Sequence, residues 1–164
     1  IYKGILYAGI MLTPTGPRVV EFNCRFADPE TQSILPRMDF NMVEAMNACI
    51  DGTLSADMIK WKPGNCVCVV MVAGGYPGKY DKDNRIEGIA AAEQDEDVDV
   101  FHAGTALKNG AVVTAGGRVL GVTAHGPDLH ETVAKAYRAI LKIKYDGAEY
   151  RTDIAHRALK LEKE

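Results

Sequence analysis

The sequence has no long hydrophobic run. Its longest unbroken apolar stretch, residues 66–73, is eight residues, against the roughly 20 a bilayer-spanning helix needs. It also lacks an excess of positive charge. With 19 Lys and Arg against 22 Asp and Glu, the net charge is −3, so no broad basic field exists to hold a nucleic-acid backbone or an anionic membrane. Neither nucleic acid nor a membrane is expected as a partner. Serine occurs only twice, as Ser33 and Ser55, with no Gly-x-Ser-x-Gly elbow, which weighs against a serine hydrolase. His102, His125, His130 and His156 form no His-Glu-x-x-His pair, which weighs against zinc-protease chemistry; all four read as surface or locally satisfied histidines. The four cysteines, at 24, 49, 66 and 68, form no Cys-x-x-Cys pair, and no secretory leader is visible. A reducing, cytoplasmic compartment is the expectation. Cys66 and Cys68 share one face of a strand and read as small buried side chains. The first residue is Ile1 rather than Met, so the polypeptide is expected to begin upstream.

What is present fits a folded α+β chain. Of 164 residues, 47% are hydrophobic, and the 16 Gly and 7 Pro are scattered, which excludes disorder and collagen-like repeats. Residues 4–12 and 18–22 read as two strands joined by a turn at Pro14, Thr15 and Gly16. In residues 39–51 the apolar positions Phe40, Val43, Met46 and Ile50 recur at helical spacing, with Asp39 as cap and Gly52 as stop. Lys62-Pro63-Gly64 breaks the pattern, dividing the chain into residues 1–63 and 64–164. Beyond it, residues 66–73 form a continuous apolar strand, and shorter strands are expected at 86–89, 98–102, 112–114 and 118–124. Asn109-Gly110 is the strongest hairpin signal, because both central residues of a type I′ turn need positive φ. Residues 128–143 set Leu129, Val133, Ala136, Tyr137, Ile140 and Leu141 on one helical stripe. A short helix capped by Asp153 closes the chain over 154–161. The acidic run at 94–99 reads as a solvated loop.

The chemistry concentrates in Glu21-Phe22-Asn23-Cys24-Arg25-Phe26-Ala27-Asp28. Strand alternation puts Glu21, Asn23 and Arg25 on one face and Phe22, Cys24 and Phe26 on the other, which reads as core. A carboxylate and a carboxamide two residues apart suit Mg²⁺, which takes one or two protein oxygens and fills its shell with water and phosphates. An arginine one step on can hold a carboxylate or a transferring phosphoryl group. A solvent-facing salt bridge between Glu21 and Arg25 accounts for the same pattern. Gly74-Gly75-Tyr76-Pro77-Gly78-Lys79 fails the P-loop spacing, with Tyr80 where Ser or Thr must stand, and reads as a structural turn.

The string EFNCRFADPETQ followed by ILPRM, together with GILYAGIML, VVMVAGGYPGKY, VFHAGTALKNG, GGRVLGVTA, AYRAI and DGAEYRTDIAHRAL, resembles the C-terminal part of the phosphoribosylamine–glycine ligases (glycinamide ribonucleotide synthetases), ATP-grasp enzymes of purine biosynthesis. The resemblance runs in order along almost the whole chain. It implies that residues 1–63 are the C-terminal portion of an ATP-grasp catalytic domain, and that residues 64–164 are a small β-rich domain with one long helix, of the rudimentary single-hybrid-motif type.

By the same resemblance, Glu21 and Asn23 carry the family's Mg²⁺ (or Mn²⁺) ligands beside the co-substrate ATP. Arg25 lies beside the transferred phosphoryl group, Asp28 near the reacting amine, and Gly116, Gly117 and Arg118 contact the phosphoribosyl end of the substrate. Glycine, 5-phosphoribosylamine and ATP are the implied ligands. The family's amino-terminal lobes, expected upstream of this segment, are the implied partner, and without them the chain is expected to be inactive. Ala27 departs from the pattern, since the family carries Gly there; a glycine needed at positive φ would leave Ala27 strained. Two rival readings are another ATP-grasp ligase or carboxylase, sharing Glu-x-Asn-x-Arg, and a carrier module presenting Lys108 on the Asn109-Gly110 hairpin.

Overall fold

A computed structural model describes residues 2–161 and divides the chain into two compact units, the first ending at Lys62 and the second beginning at Pro63. Among the described residues no helix is long and apolar enough to cross a membrane.

The first unit opens with an antiparallel hairpin, β1 (Tyr7–Thr13) and β2 (Gly16–Asn23), turned at Pro14 and Thr15. The Thr13 hydroxyl clamps the turn by donating to the Gly16 carbonyl at 2.7 Å. The ladder carries one bulge: Ile10 pairs with Val19 but Gly9 pairs with Glu21, leaving Val20 as the extra residue. A short helix α1 (Thr31–Ile34) and a 3-10 turn (Leu35–Arg37) lead to α2 (Met42–Asp51). The cap of α2 is Asn41, not Asp39: its side-chain oxygen accepts from the Val43 and Glu44 amides at 3.0 and 3.3 Å. The backbone of Asp39 is instead engaged with the Lys60 carbonyl at 3.0 Å. Gly52 at φ 77° ends the helix as expected.

The core of this unit differs from the expectation for β2, and the apolar stripe of α2 stays open to solvent. The stripe of Val43, Met46 and Ile50 is exposed, while Ala45 and Ala48 are the buried positions of α2. On β2, Phe22 is 61% exposed and Cys24 is also exposed, with only Phe26 half-buried. The apolar periodicity is real, but among the described residues of this unit Val43, Met46, Ile50 and Phe22 stay largely exposed.

The second unit is built on a four-stranded antiparallel sheet in the order β4-β7-β3-β8, from β3 (Asn65–Ala73), β4 (Val98–His102), β7 (Arg118–Gly126) and β8 (Ala148–Tyr150). A separate hairpin joins β5 (Thr105–Lys108) to β6 (Ala111–Thr114) through Asn109 at φ 50° and Gly110 at φ 76°, the geometry the Asn-Gly pair predicts. Along β3, Val67, Val69, Met71 and Ala73 are buried while Cys66 and Cys68 sit half-buried on the opposite face. Helix α4 (Leu129–Ile140) starts at Asp128, whose carboxylate accepts the Glu131 amide at 2.8 Å. It packs Ala136, Ala139 and Ile140 into a core with Val69, Met71 and Val122.

Leu141 lies beyond the end of α4 and is 68% exposed, so it does not belong to the stripe. The strand expected at 86–89 is reduced to isolated bridges at Arg85 and Glu87 and is followed by a helix α3 (Ile89–Ala92). The closing helix α5 (His156–Leu161) begins later than expected. The carboxylate of Asp153 is taken by Arg151 in a two-bond pair at 2.8 Å each.

Candidate functional site

On β2, strand alternation places Glu21 and Asn23 side by side, and the Asn23 side-chain amide donates to Glu21 Oε1 at 3.0 Å. The register sets Gly9 opposite Glu21 and Tyr7 opposite Asn23. A Cβ at Gly9 would lie 3.3 Å from Glu21 Cγ, so the absent side chain gives the glutamate its room. The Tyr7 hydroxyl donates to Glu30 Oε1 at 3.2 Å. Burial, followed by the nearby Glu30 and Glu21 carboxylates, pushes the Tyr7 phenol above its ordinary value, which keeps it a donor. The other Glu30 oxygen, Oε2, is buried without a hydrogen-bond partner among the described residues. Tyr7 and Glu30 stand within the quoted strings GILYAGIML and EFNCRFADPETQ without a role assigned to either, and both belong to this cluster.

Arg25 does not reach Glu21; its guanidinium donates to the Phe26 carbonyl at 3.0 Å. The salt bridge that rivals the metal reading is therefore not formed. Asp28 accepts from the Gln32 side-chain amide at 3.2 Å and is exposed. Ala27 is buried at ordinary negative φ, and its carbonyl accepts the Thr31 amide at 2.9 Å to start α1. Alanine in place of glycine thus brings no backbone strain here.

The donor set decides which ion suits the site. Among the described residues no group of three His, Cys, Asp or Glu side chains converges on a metal position. One exposed carboxylate and one carboxamide, 3.0 Å apart, match a hard cation whose remaining ligands come from water and phosphate, once the Asn23 amide turns its oxygen toward the ion. The pair fits Mg²⁺ or Mn²⁺ and does not resemble a zinc site.

The remaining predicted residues, Gly116, Gly117 and Arg118, lie in the second unit. Gly117 is buried and its carbonyl accepts the Ala73 amide at 2.8 Å; Arg118 opens β7 and is exposed. A Cβ at Gly117 would sit 2.1 Å from Tyr76 Cδ2, and one at Gly116 would sit 3.1 Å from Gly104 Cα. Lys108 holds Asp83 at 2.8 Å. The acidic loop is not simply solvated: Asp97 meets Lys135 at 2.5 Å and His125 at 3.4 Å, with Asp95 3.9 Å from the same lysine.

Comparison with known proteins accounts for both units. Residues 66–157 match the family described as phosphoribosylglycinamide synthetase, C domain. Residues 1–31 match phosphoribosylglycinamide synthetase, ATP-grasp (A) domain. A phosphoribosylamine–glycine ligase of Synechocystis sp. is 53% identical over 160 residues, covering 96% of this chain and 38% of that ligase. The trifunctional purine biosynthetic protein adenosine-3 of Homo sapiens is 49% identical over 159 residues, covering 96% of this chain and 16% of that protein. The crystal structure of a phosphoribosylamine–glycine ligase from Thermotoga maritima superposes with a TM-score of 0.75 at 34% identity, over 90% of this chain and 36% of that one. Pyruvate carboxylase of Rhizobium etli, at TM-score 0.58 and 15% identity, shares the fold.

The mixed α/β fold and the two family matches define a chain related to the ATP-grasp (A) domain and the C domain of the phosphoribosylglycinamide synthetases. More narrowly, the chain belongs to the phosphoribosylglycinamide synthetase family, and it spans 38% of the length of the Synechocystis relative.

Proposed function

We propose that this chain is the C-terminal portion of a phosphoribosylamine–glycine ligase of purine biosynthesis, working in the cytoplasm as part of a longer polypeptide. Residues 1–63 would end the ATP-grasp catalytic domain, and residues 64–164 would be the small domain of rudimentary single-hybrid-motif type. The reaction is the joining of glycine to 5-phosphoribosylamine with ATP. The glycine carboxylate attacks the γ-phosphorus, releasing ADP and giving glycyl phosphate. The amine of phosphoribosylamine then attacks the acyl carbon, phosphate leaves, and a proton is lost from nitrogen to give glycinamide ribonucleotide.

The observation that carries this reading is the Glu21 and Asn23 pair, 3.0 Å apart on one strand face with no competing salt bridge to Arg25. Glu21 and Asn23 would hold Mg²⁺ or Mn²⁺, which offsets the charge of the nucleotide phosphates when bound. Arg25 is assigned to the transferring phosphoryl group, where a bidentate guanidinium stabilises spreading negative charge. Asp28 is assigned to the reacting amine, whose proton an exposed carboxylate can accept. Gly116, Gly117 and Arg118 are assigned to the phosphoribosyl end.

Glu21→Gln in the complete ligase tests the reading, because it removes the charge at the metal and keeps the shape. Turnover is expected to fall by orders of magnitude with an unchanged far-UV spectrum. Wild-type turnover at ordinary Mg²⁺ concentration overturns the assignment. The 164-residue chain alone is expected to release no ADP in response to glycine and phosphoribosylamine, since a metal pair without the remaining phosphate contacts cannot position the reactants.

A further inference from the structure

The β5–β6 hairpin turns on Asn109 and Gly110, both exposed, at φ 50° and 76°. Asn109 is the only asparagine of the sequence followed by glycine. Among the described residues neither its side chain nor the Gly110 amide has a hydrogen-bond partner, and a Cβ placed at Gly110 would meet no atom within 4 Å. The Gly110 nitrogen can therefore approach the Asn109 carboxamide with no steric cover and no bond to give up. The other asparagines are held or shielded. Asn23 donates to Glu21 at 3.0 Å, Asn41 caps α2, and Asn65 and Asn84 donate to the Pro127 and Asp146 carbonyls at 3.1 and 3.3 Å. Asn47 lies within α2 and is followed by the buried Ala48.

We propose that Asn109 is a site of spontaneous covalent modification, at which the side chain deamidates through a succinimide formed with Gly110. The Gly110 nitrogen attacks Asn109 Cγ. The new C–N bond closes the ring, the bond to the side-chain nitrogen breaks, and ammonia leaves with the Gly110 amide proton. Water then opens the ring at one carbonyl or the other. Opening at the side-chain carbonyl gives aspartate; opening at the main-chain carbonyl gives isoaspartate, whose backbone runs on through Cβ and Cγ. Glycine favours the attack because any side chain at position 110 would crowd the nitrogen as it swings toward Cγ. Asp51-Gly52 and Asp146-Gly147 offer the same glycine, but a carboxylate must take up protons before its oxygen can leave as water. The Gly52 amide is, in addition, committed to the Ala48 carbonyl.

The products act differently on the fold. The hairpin register, Lys108 with Ala111 and Leu107 with Val112, depends on a loop of Asn109 and Gly110 alone, each at positive φ. Isoaspartate adds a main-chain carbon to that loop and unpairs its strands. Strand β6 also holds the segment before it: the Val112 carbonyl accepts the Ile86 amide at 2.9 Å, and the Thr114 carbonyl accepts the Asp83 amide at 2.7 Å. Loosening at the tip therefore passes to residues 83–86. Aspartate keeps the chain length and the register, and adds a negative charge beside Lys108, which Asp83 already holds at 2.8 Å.

The test ages the purified 164-residue chain at mildly alkaline pH, where the Gly110 nitrogen gives up its proton more readily. Products are read by peptide mass and by methyl transfer from S-adenosylmethionine with an isoaspartate-specific carboxyl methyltransferase. The tryptic peptide 109–118 is expected to exchange its side-chain nitrogen for oxygen and to accept methyl groups, ahead of peptides carrying any other asparagine. Asn109→Gly keeps a residue that tolerates positive φ and is expected to abolish methyl acceptance at the hairpin. Hydrogen exchange at Leu107, Val112 and Ile86 should quicken in the aged chain and stay slow in Asn109→Asp, which carries the charge without the added carbon. A 109–118 peptide that stays unchanged, methyl acceptance in that peptide that survives Asn109→Gly, or equal loosening by Asn109→Asp overturns the proposal. None of these readouts involves ligation, so the ligase reading stands or falls separately.

Discussion

Gly9 lies directly across the β1–β2 ladder from Glu21, and the glutamate's Cγ occupies the space a side chain at position 9 would claim, 3.3 Å from its Cβ. Gly9 has an ordinary strand conformation, so its backbone does not require glycine. Its role is the space it leaves to the Glu21 carboxylate, which we propose as a metal ligand. In the complete ligase Gly9→Val is expected to keep the strand, which favours β-branched residues, while pushing Glu21 away from Asn23. The expected result is a Mg²⁺ requirement raised about tenfold or more with a smaller change in the KM for glycine, read from initial rates at varied metal. An unchanged metal dependence shows that Glu21 does not need that space.

The bulge at Val20 explains why this relationship could not be read from the motif. Carried back from the Pro14-Thr15 turn without a bulge, the pairing would set Glu21 against Ala8 and Tyr7 against Phe22, with Tyr7 on the wrong face for Glu30. The motif itself, Glu21-x-Asn23, was legible because alternation along one strand needs no partner. Elements whose signal is local were legible for the same reason: β4, the Asn109-Gly110 hairpin, the Asp128 cap and the Gly52 stop. Asn41 replaced Asp39 as the cap of α2 because Asp39 is drawn into backbone pairing with Lys60, a contact across 21 positions that periodicity cannot see. Strand β8, three residues long, exists through its pairing with β3 rather than through any pattern of its own.

Lys135 and Asp97 supply a prediction for stability. The lysine side chain is 14% exposed and meets Asp97 at 2.5 Å. That hydrogen bond, more than His125 nearby, holds the Asp97 carboxyl below its ordinary value of 3.8. A depressed carboxyl contributes stability above its unfolded-state pKa and loses it as pH falls through the folded value, so the contribution is complete at neutral pH and is lost progressively as pH falls below about 3.8. Asp97→Asn is expected to destabilise the second unit by about 1 kcal/mol at pH 7, the half-exposed carboxylate tempering the cost of leaving Lys135 unpaired. Thermal melts should show the deficit at pH 7 and its disappearance in acid. A deficit that persists unchanged into acid would assign the loss to packing instead.

The exposed apolar surface of the first unit yields the last prediction. Val43 and Ile50 on α2 are 65% and 64% exposed, Phe22 on β2 is 61% exposed, and Trp61 is 50% exposed where it meets Phe40 edge-on at a ring distance of 5.9 Å. Phe40, Met46, Ile50 and Trp61 also line an open apolar pocket of about 470 Å³. Exposed apolar side chains around such a pocket favour burial against a partner surface, because leaving them in water forfeits roughly 25 cal/mol for each Å². The 164-residue chain is therefore expected to bind a hydrophobic dye such as ANS at neutral pH while its near-UV spectrum stays native. Ile50→Lys should reduce the dye signal without lowering the melting temperature of the second unit, since the two belong to separate compact units. In the complete ligase the dye signal should be absent, and hydrogen exchange at α2 should slow relative to the isolated chain. Equal dye binding by both forms would show that these residues face solvent in the working enzyme and that the amphipathic stripe of α2 serves no packing partner within the polypeptide.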